Sequence, residues 1–245
     1  MNNIIVIKIG GIAAKKLSKS FIKQIKQWIE ENKKIIIVHG GGVVINRLMA
    51  ERQCSSKRVN GLRVTSQEDI PVVKQGLLEI VGPNLTKQLH EENIDSLQMV
   101  SHLGQIVSAD FINQSLYGYV GKVVDIQTDY LESILENKII PVLASLGETA
   151  SGECLNINAD YLAAAVASKF QAKKLILMTD IEGVLENKRV LPELLTSQAS
   201  KKIQSGVIHG GMVPKIESAV QTVLSGVNQV LIGDNLLTGT LIAEG

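Results

Sequence analysis

Two cysteines in 245 residues, Cys54 and Cys154, lie far apart and form no Cys-x-x-Cys pair. Such spacing supports neither a zinc site nor a disulfide framework, which leaves two incidental thiols in a reducing compartment. A charge of one sign is also missing: Lys plus Arg total 25 against 24 for Asp plus Glu. No global field therefore draws the chain to nucleic acid or an anionic membrane, and any phosphate must be held by a local site. No apolar run approaches the ~20 residues that span a bilayer. The short run Ile4 to Ile7 is followed at once by Lys8 and two glycines, which is no signal segment. The expectation is a soluble, cytoplasmic protein. Two nucleotide fingerprints are absent as well. No Gly-x-x-x-x-Gly-Lys-Ser/Thr occurs, and the cluster at Gly40 has Ile45 where the dinucleotide motif needs its third glycine. His90, His102 and His209 show no metal-ligand spacing, and His39, at a strand end, reads as structural.

What is present is an alternation. Short, uninterrupted apolar runs occur at Ile4–Ile7, Ile35–Val38, Ile139–Leu143, Leu175–Met178 and Val230–Ile232. Runs of this length suit strands buried on both faces of a parallel sheet. Helical periodicity lies between them, over residues 17–30, 43–51, 67–80, 84–91, 130–136, 159–170 and 212–225. In the first of these, Leu17, Phe21, Ile25, Trp28 and Ile29 form one stripe. Strands alternating with helices imply an α/β fold with right-handed crossovers and helices on both sheet faces. Residues 57–63 and 101–124 break the pattern and are expected to form hairpins overhanging one end of the sheet. A soft seam falls near Gln171–Lys174.

Ligands of open α/β sheets sit beyond the carboxyl ends of the strands. Two such ends carry glycines here: Lys8-Ile9-Gly10-Gly11, and His39-Gly40-Gly41-Gly42, which leads into a helix. Glycine lets backbone N–H groups approach an anion closely, and a helix start adds unpaired donors. Side by side, the two loops would cradle phosphate, although a run of glycines alone also fits tight turns without a ligand.

Taken in order with Asn60-Gly61-Leu62-Arg63-Val64-Thr65, Asn156-Ile157-Asn158-Ala159-Asp160, Thr179-Asp180-Ile181-Glu182-Gly183-Val184, Gly210-Gly211-Met212-Val213-Pro214-Lys215 and Gly239-Thr240-Leu241-Ile242, these segments resemble the amino acid kinase family. The likeness runs from Lys8 to Ile242, and the Asn-Gly-Leu-Arg-Val-Thr and Asn-x-Asn-Ala-Asp segments point to its acetylglutamate branch. It implies a three-layer αβα sandwich around a mainly parallel open sheet. Residues 1–171 would bind the amino acid and dimerise, and residues 172–245 would bind ATP, on one continuous sheet. The implied reaction is ATP-dependent phosphorylation of the side-chain carboxylate of N-acetyl-L-glutamate in arginine biosynthesis, with Mg2+ carried by the nucleotide.

The resemblance also assigns roles. Lys8 and Lys215 stabilise the transition state, Asp160 sits between them and orients them, and Gly11 and Gly41 donate N–H groups to the phosphoryl in transit. Gly41, Gly42, Arg63 and Asn156 hold the acyl amino acid, Arg63 by clamping a carboxylate. Lys8, Gly10, Gly11, Thr179, Asp180 and Lys215 face the nucleotide. Read alone, Lys8 is also a solvated strand-end charge, Lys215 a surface helix lysine, Arg63 a hairpin arginine, and Asn158 or Asp160 a helix cap. The chain starts at its first strand, without the additional N-terminal helix of arginine-inhibited hexameric members, so the expectation is an arginine-insensitive homodimer. Rival readings are a kinase of the same fold acting on an aminoadipate derivative, glutamate or carbamate, and a catalytically inactive amino-acid sensor.

Overall fold

The computed structural model describes residues 3–10, 14–54, 56–99 and 106–245. The chain begins with β1 (Ile4–Ile9), α1 (Lys19–Glu30), β2 (Lys34–His39) and α2 (Gly42–Glu51), then a hairpin of β3 (Arg58–Val59) and β4 (Leu62–Arg63). A long helix follows: α3 (Ile70–Lys74), a π-helical stretch (Gln75–Val81) and α4 (Gly82–Glu91). Next come β5 (Ser96–Met99), β6 (Val107–Phe111), α5 (Gln114–Tyr117), β7 (Val120–Ile126), α6 (Thr128–Glu136), β8 (Ile140–Ala144), β9 (Leu146–Glu148), β10 (Cys154–Ile157) and α7 (Ala159–Lys169). The rest comprises β11 (Lys174–Met178), β12 (Leu185–Glu186), β13 (Arg189–Val190), β14 (Glu193–Leu195), α8 (Thr196–Gln204), α9 (Met212–Leu224), β15 (Val230–Gly233) and β16 (Thr240–Ala243).

Eight strands form one sheet in the order β14-β16-β15-β11-β1-β2-β8-β5. From β15 to β5 every neighbouring pair is parallel; β16 runs antiparallel to β15, and β14 at the edge runs parallel to β16. All six residues of β1 are buried, as expected of a central strand covered on both faces. Because side chains alternate, Ile4 and Val6 join a core with Leu162, Ala163 and Val166 of α7, while Ile5, Ile7 and Ile9 join a second core with Phe21, Ile25, Leu85 and Leu89 of α1 and α4. The result is the expected three-layer αβα sandwich. The chain moves from β1 to β2 on one side and returns through β11 on the other, so the switch point lies at the carboxyl end of β1.

The structure alters several sequence expectations. The helices expected over 67–80 and 84–91 are one continuous helix from Ile70 to Glu91. The wider π turns just before Gly82-Pro83 shift the bonding register, so the donor missing at Pro83 does not end the helix. β5 is an edge strand whose Leu97 is exposed, and its mixed polarity hid it from an apolar-run search. The region expected as a second hairpin gives antiparallel β6 and β7, which close with β9 and β10 into a small four-stranded barrel. Residues 101–105 of that region lie outside the described residues.

Candidate active site

Lys8, next to last in β1, lies on the same face as Ile4 and Val6, beneath the start of α7. There α7 is capped by Asn158, whose Oδ1 accepts from the N–H groups of Asp160 at 2.8 Å and Tyr161 at 3.3 Å. This cap, the alternative weighed for Asn158, turns Asp160 into the first turn of the helix, where the dipole favours a carboxylate. Lys8 Nζ lies 2.8 Å from Asp160 Oδ1 as an ion pair, off the line of a good hydrogen bond. Lys215 Nζ, reaching over from α9, donates to Asp160 Oδ2 at 2.6 Å. Two ammonium groups from opposite ends of the chain thus share one carboxylate. Lys8 also points at Met178 O, 3.5 Å away at the end of β11.

Burial shapes the protonation of this trio. Desolvation lowers the Lys8 pKa, with Asp160 opposing and Lys215 reinforcing the shift. For Asp160, burial by itself pushes the pKa up, but the two ammonium groups together outweigh it and hold the carboxyl below its usual range. His39 is different. Its register partner is Ile9, so it faces the layer opposite Lys8; burial lowers its pKa to about 4, and it stays neutral. It belongs to the packing, as its sequence position suggested.

A cleft of about 230 Å³ opens from Lys8 toward the small barrel, lined by Gly10, Gly41, Gly42, Arg63, Asn156 and Asp160 among others. Arg63 is buried, and its guanidinium donates to Ser56 Oγ and Asn46 Oδ1. Asn156 Nδ2 donates to Thr65 Oγ1 at 3.0 Å. Lys215 joins through Asp160. Thr179 and Asp180 do not line the cleft; they follow β11, where Thr179 N bonds Gly233 O at 2.8 Å. Gly11 lies outside the described residues.

Among the lining residues that were missed is Arg58. Asn60 and Gly61 both have positive φ, 48° and 79°, which is the two-residue turn that Asn-Gly favours in a hairpin. That turn makes Arg58 and Arg63 direct cross-strand partners. The Asn-Gly signal was therefore enough to pair them. Like charges directly opposite destabilise a hairpin. Desolvation first, then Arg58, lowers the Arg63 pKa.

The residues also fit a nucleotide. Gly210 and Gly211 precede the 13-residue α9, which has no side-chain cap, and a Cβ at either glycine would meet nothing within 4 Å. Open backbone at a helix start, with Lys215 one turn in, suits phosphate oxygens.

The model of the amino acid kinase family matches residues 3–234. A protein of Streptococcus gordonii named acetylglutamate kinase is 70% identical over the full length of both chains, and one of Streptococcus sanguinis with the same name is 69% identical over the same span. A solved structure from Streptococcus mutans UA159 superposes with a TM-score of 0.97 at 52% identity, covering 100% of both chains. A family match over nearly the whole chain, full-length relatives and a superimposable fold agree with the lysines and glycine loops at the strand ends: the chain belongs to the amino acid kinase family.

Proposed function

We propose that the cleft binds N-acetyl-L-glutamate with its side-chain carboxylate toward Lys8, and that the chain phosphorylates this carboxylate at the expense of ATP, a step of arginine biosynthesis. The observation that carries the reading is the pair of ammonium groups on Asp160, with Lys8 and Asp160 lining the same cleft as Arg63 and Asn156. A binding module has no use for two cations held on one carboxylate. MgATP, when bound, supplies the phosphoryl group and its own metal.

The acceptor carboxylate is already an anion at neutral pH, so no general base is needed. One of its oxygens forms the new P–O bond while the bond to the departing diphosphate breaks, and no proton moves. The chain's task is to bring two anions together and to neutralise charge on the three equatorial oxygens. Lys8 and Lys215 provide that charge, and Asp160 fixes both in place. The amides of Gly41 and Gly11 are the donors for the phosphoryl, Gly42 contacts the acyl amino acid, and Gly10, Thr179 and Asp180 adjoin the nucleotide. Arg63 and Asn156 hold the α-substituents, so that only the side-chain carboxylate reaches the lysines.

We further propose that residues 1–171 serve as the amino-acid lobe and 172–245 as the nucleotide lobe. The cleft's lining residues all fall in the first segment, and Thr179, Asp180 and Lys215 in the second. A homodimer and a cytoplasmic location complete the reading, on family resemblance. Incubation with MgATP and N-acetyl-L-glutamate, trapping the acyl phosphate with hydroxylamine, tests the reaction. The expected result is a hydroxamate with this substrate; a hydroxamate only with glutamate or an aminoadipate derivative would move the chain to another branch of the family.

A further inference from the structure

We infer that Thr65 is a positioning residue that aligns Arg63 and Asn156 as one unit for the acyl amino acid. The inference rests on the proposed function above and assigns a role to a side chain that does not itself line the cleft.

Thr65 follows β4 and is wholly buried. Its hydroxyl donates to the carbonyl of Arg63 at 3.2 Å and accepts from Asn156 Nδ2 at 3.0 Å, joining residues 91 apart in the chain. Its backbone is held on both sides. Thr65 N donates to Tyr117 O at 3.0 Å, Tyr119 N donates to Thr65 O at 2.7 Å, and Tyr119 O in turn accepts from Asn156 N at 3.0 Å. Thr65 and Gly118 form a parallel bridge between the loop and the barrel. Only glycine fits there: φ is +69°, and a Cβ would stand 2.3 Å from Thr65 O. The hairpin bearing Arg63 and the barrel strand bearing Asn156 therefore meet at one buried hydroxyl.

The chemistry of the hydroxyl makes this more than packing. A threonine has a single O–H to donate. Once that proton is given to Arg63 O, the oxygen can only accept, so it selects the NH2 end of the Asn156 amide. Asn156 Oδ1 and its second N–H are left for the cleft. An acyl amino acid presents an amide N–H, which needs an acceptor, and an α-carboxylate, which needs a donor. Thr65 thus sets the polarity of Asn156 and, through the carbonyl of Arg63, the strand end from which the guanidinium extends.

Steady-state kinetics of Thr65→Val and Thr65→Ser with both substrates test this. Valine keeps the shape and removes the hydroxyl; serine keeps the hydroxyl. The expected result for Thr65→Val is a KM for N-acetyl-L-glutamate raised about ten-fold, the worth of one hydrogen bond. The KM for ATP should stay within about two-fold, and Thr65→Ser should stay within about two-fold for both substrates. An unchanged KM in Thr65→Val overturns the inference. So does an equal rise for ATP, or a Thr65→Ser variant as impaired as the valine, since the methyl group would then be what matters. If Thr65→Val does not fold by circular dichroism, Thr65→Cys, with a similar volume and a poor hydrogen-bonding group, replaces it with the same expectation. An unmutated chain that gives no hydroxamate from N-acetyl-L-glutamate sinks the functional reading and this inference together; an active one with an unperturbed Thr65→Val sinks the inference alone.

Discussion

The two ends of the cleft manage positive charge in opposite ways. At the end proposed for the phosphoryl group, Lys8 and Lys215 are paired with Asp160. At the amino-acid end, Arg58 and Arg63 face each other across a two-residue turn, and among the described residues no carboxylate lies within ion-pair distance of either guanidinium. The first arrangement is held by two ion pairs, the preorganisation that the proposed transition-state role would need. The second is offset only by Asp69, acting on Arg63 from beyond ion-pair distance, and leaves charge that would suit the proposed dicarboxylic substrate. On the proposed reading, rigidity belongs where the phosphorus passes, and weakly matched charge where the substrate is chosen.

Four measurements sharpen or break that contrast. The largest effect is expected from Lys8→Ala: kcat falls about a hundred- to a thousand-fold, while calorimetry gives an N-acetyl-L-glutamate affinity within about three-fold of the parent. A loss of affinity as large as the loss of turnover would erase the division between the ends. Arg63→Ala should lower kcat/KM for the acyl amino acid about 10- to 100-fold, the range for a charge-assisted hydrogen bond, with the ATP KM unmoved in the same assay.

Arg58→Gln should act more gently, raising that KM about three-fold. Its melting temperature should be no lower than the parent's, because a like-charge pair has been relieved; a clear drop would mean that Arg58 carries structure. The smallest effect concerns acid stability. The folded pKa of Asp160 is held below its ordinary, unfolded value by Lys8 and Lys215, so on acidification the unfolded chain takes up the proton first. The contribution of Asp160 is full above the unfolded pKa and declines as the pH falls through the folded pKa. Thermal melts across this range should show a shallower acid limb for Asp160→Asn than for the parent.

Much of this was legible locally. The apolar runs gave β1, β2, β8, β11 and β15 because central parallel strands are buried on both faces, so their composition alone marks them. β5 and β14 sit at the sheet edges, with partly exposed residues, and left no such mark. The glycines at the ends of β1 and β2 were readable as strand-end loops, and Gly10, Gly41 and Gly42 line the cleft; the Asn-Gly turn held the Arg58–Arg63 pairing as a signal that went unused. The continuous helix from Ile70 to Glu91 was not legible, since the π stretch that accommodates Pro83 is a matter of hydrogen-bond register and not of composition.

The sequence by itself determined the period of each element, the turn that opposes two arginines, the cap that starts α7 and the residue types available for chemistry. These follow from interactions within a few residues of each other. Tertiary structure alone decided that Lys8 and Lys215 meet on the two oxygens of Asp160, and that Thr65 joins Arg63 to Asn156. Such contacts depend on the order of strands in the sheet and on closure of the small barrel. A chain read residue by residue holds the partners, but only packing sets the few ångströms between them.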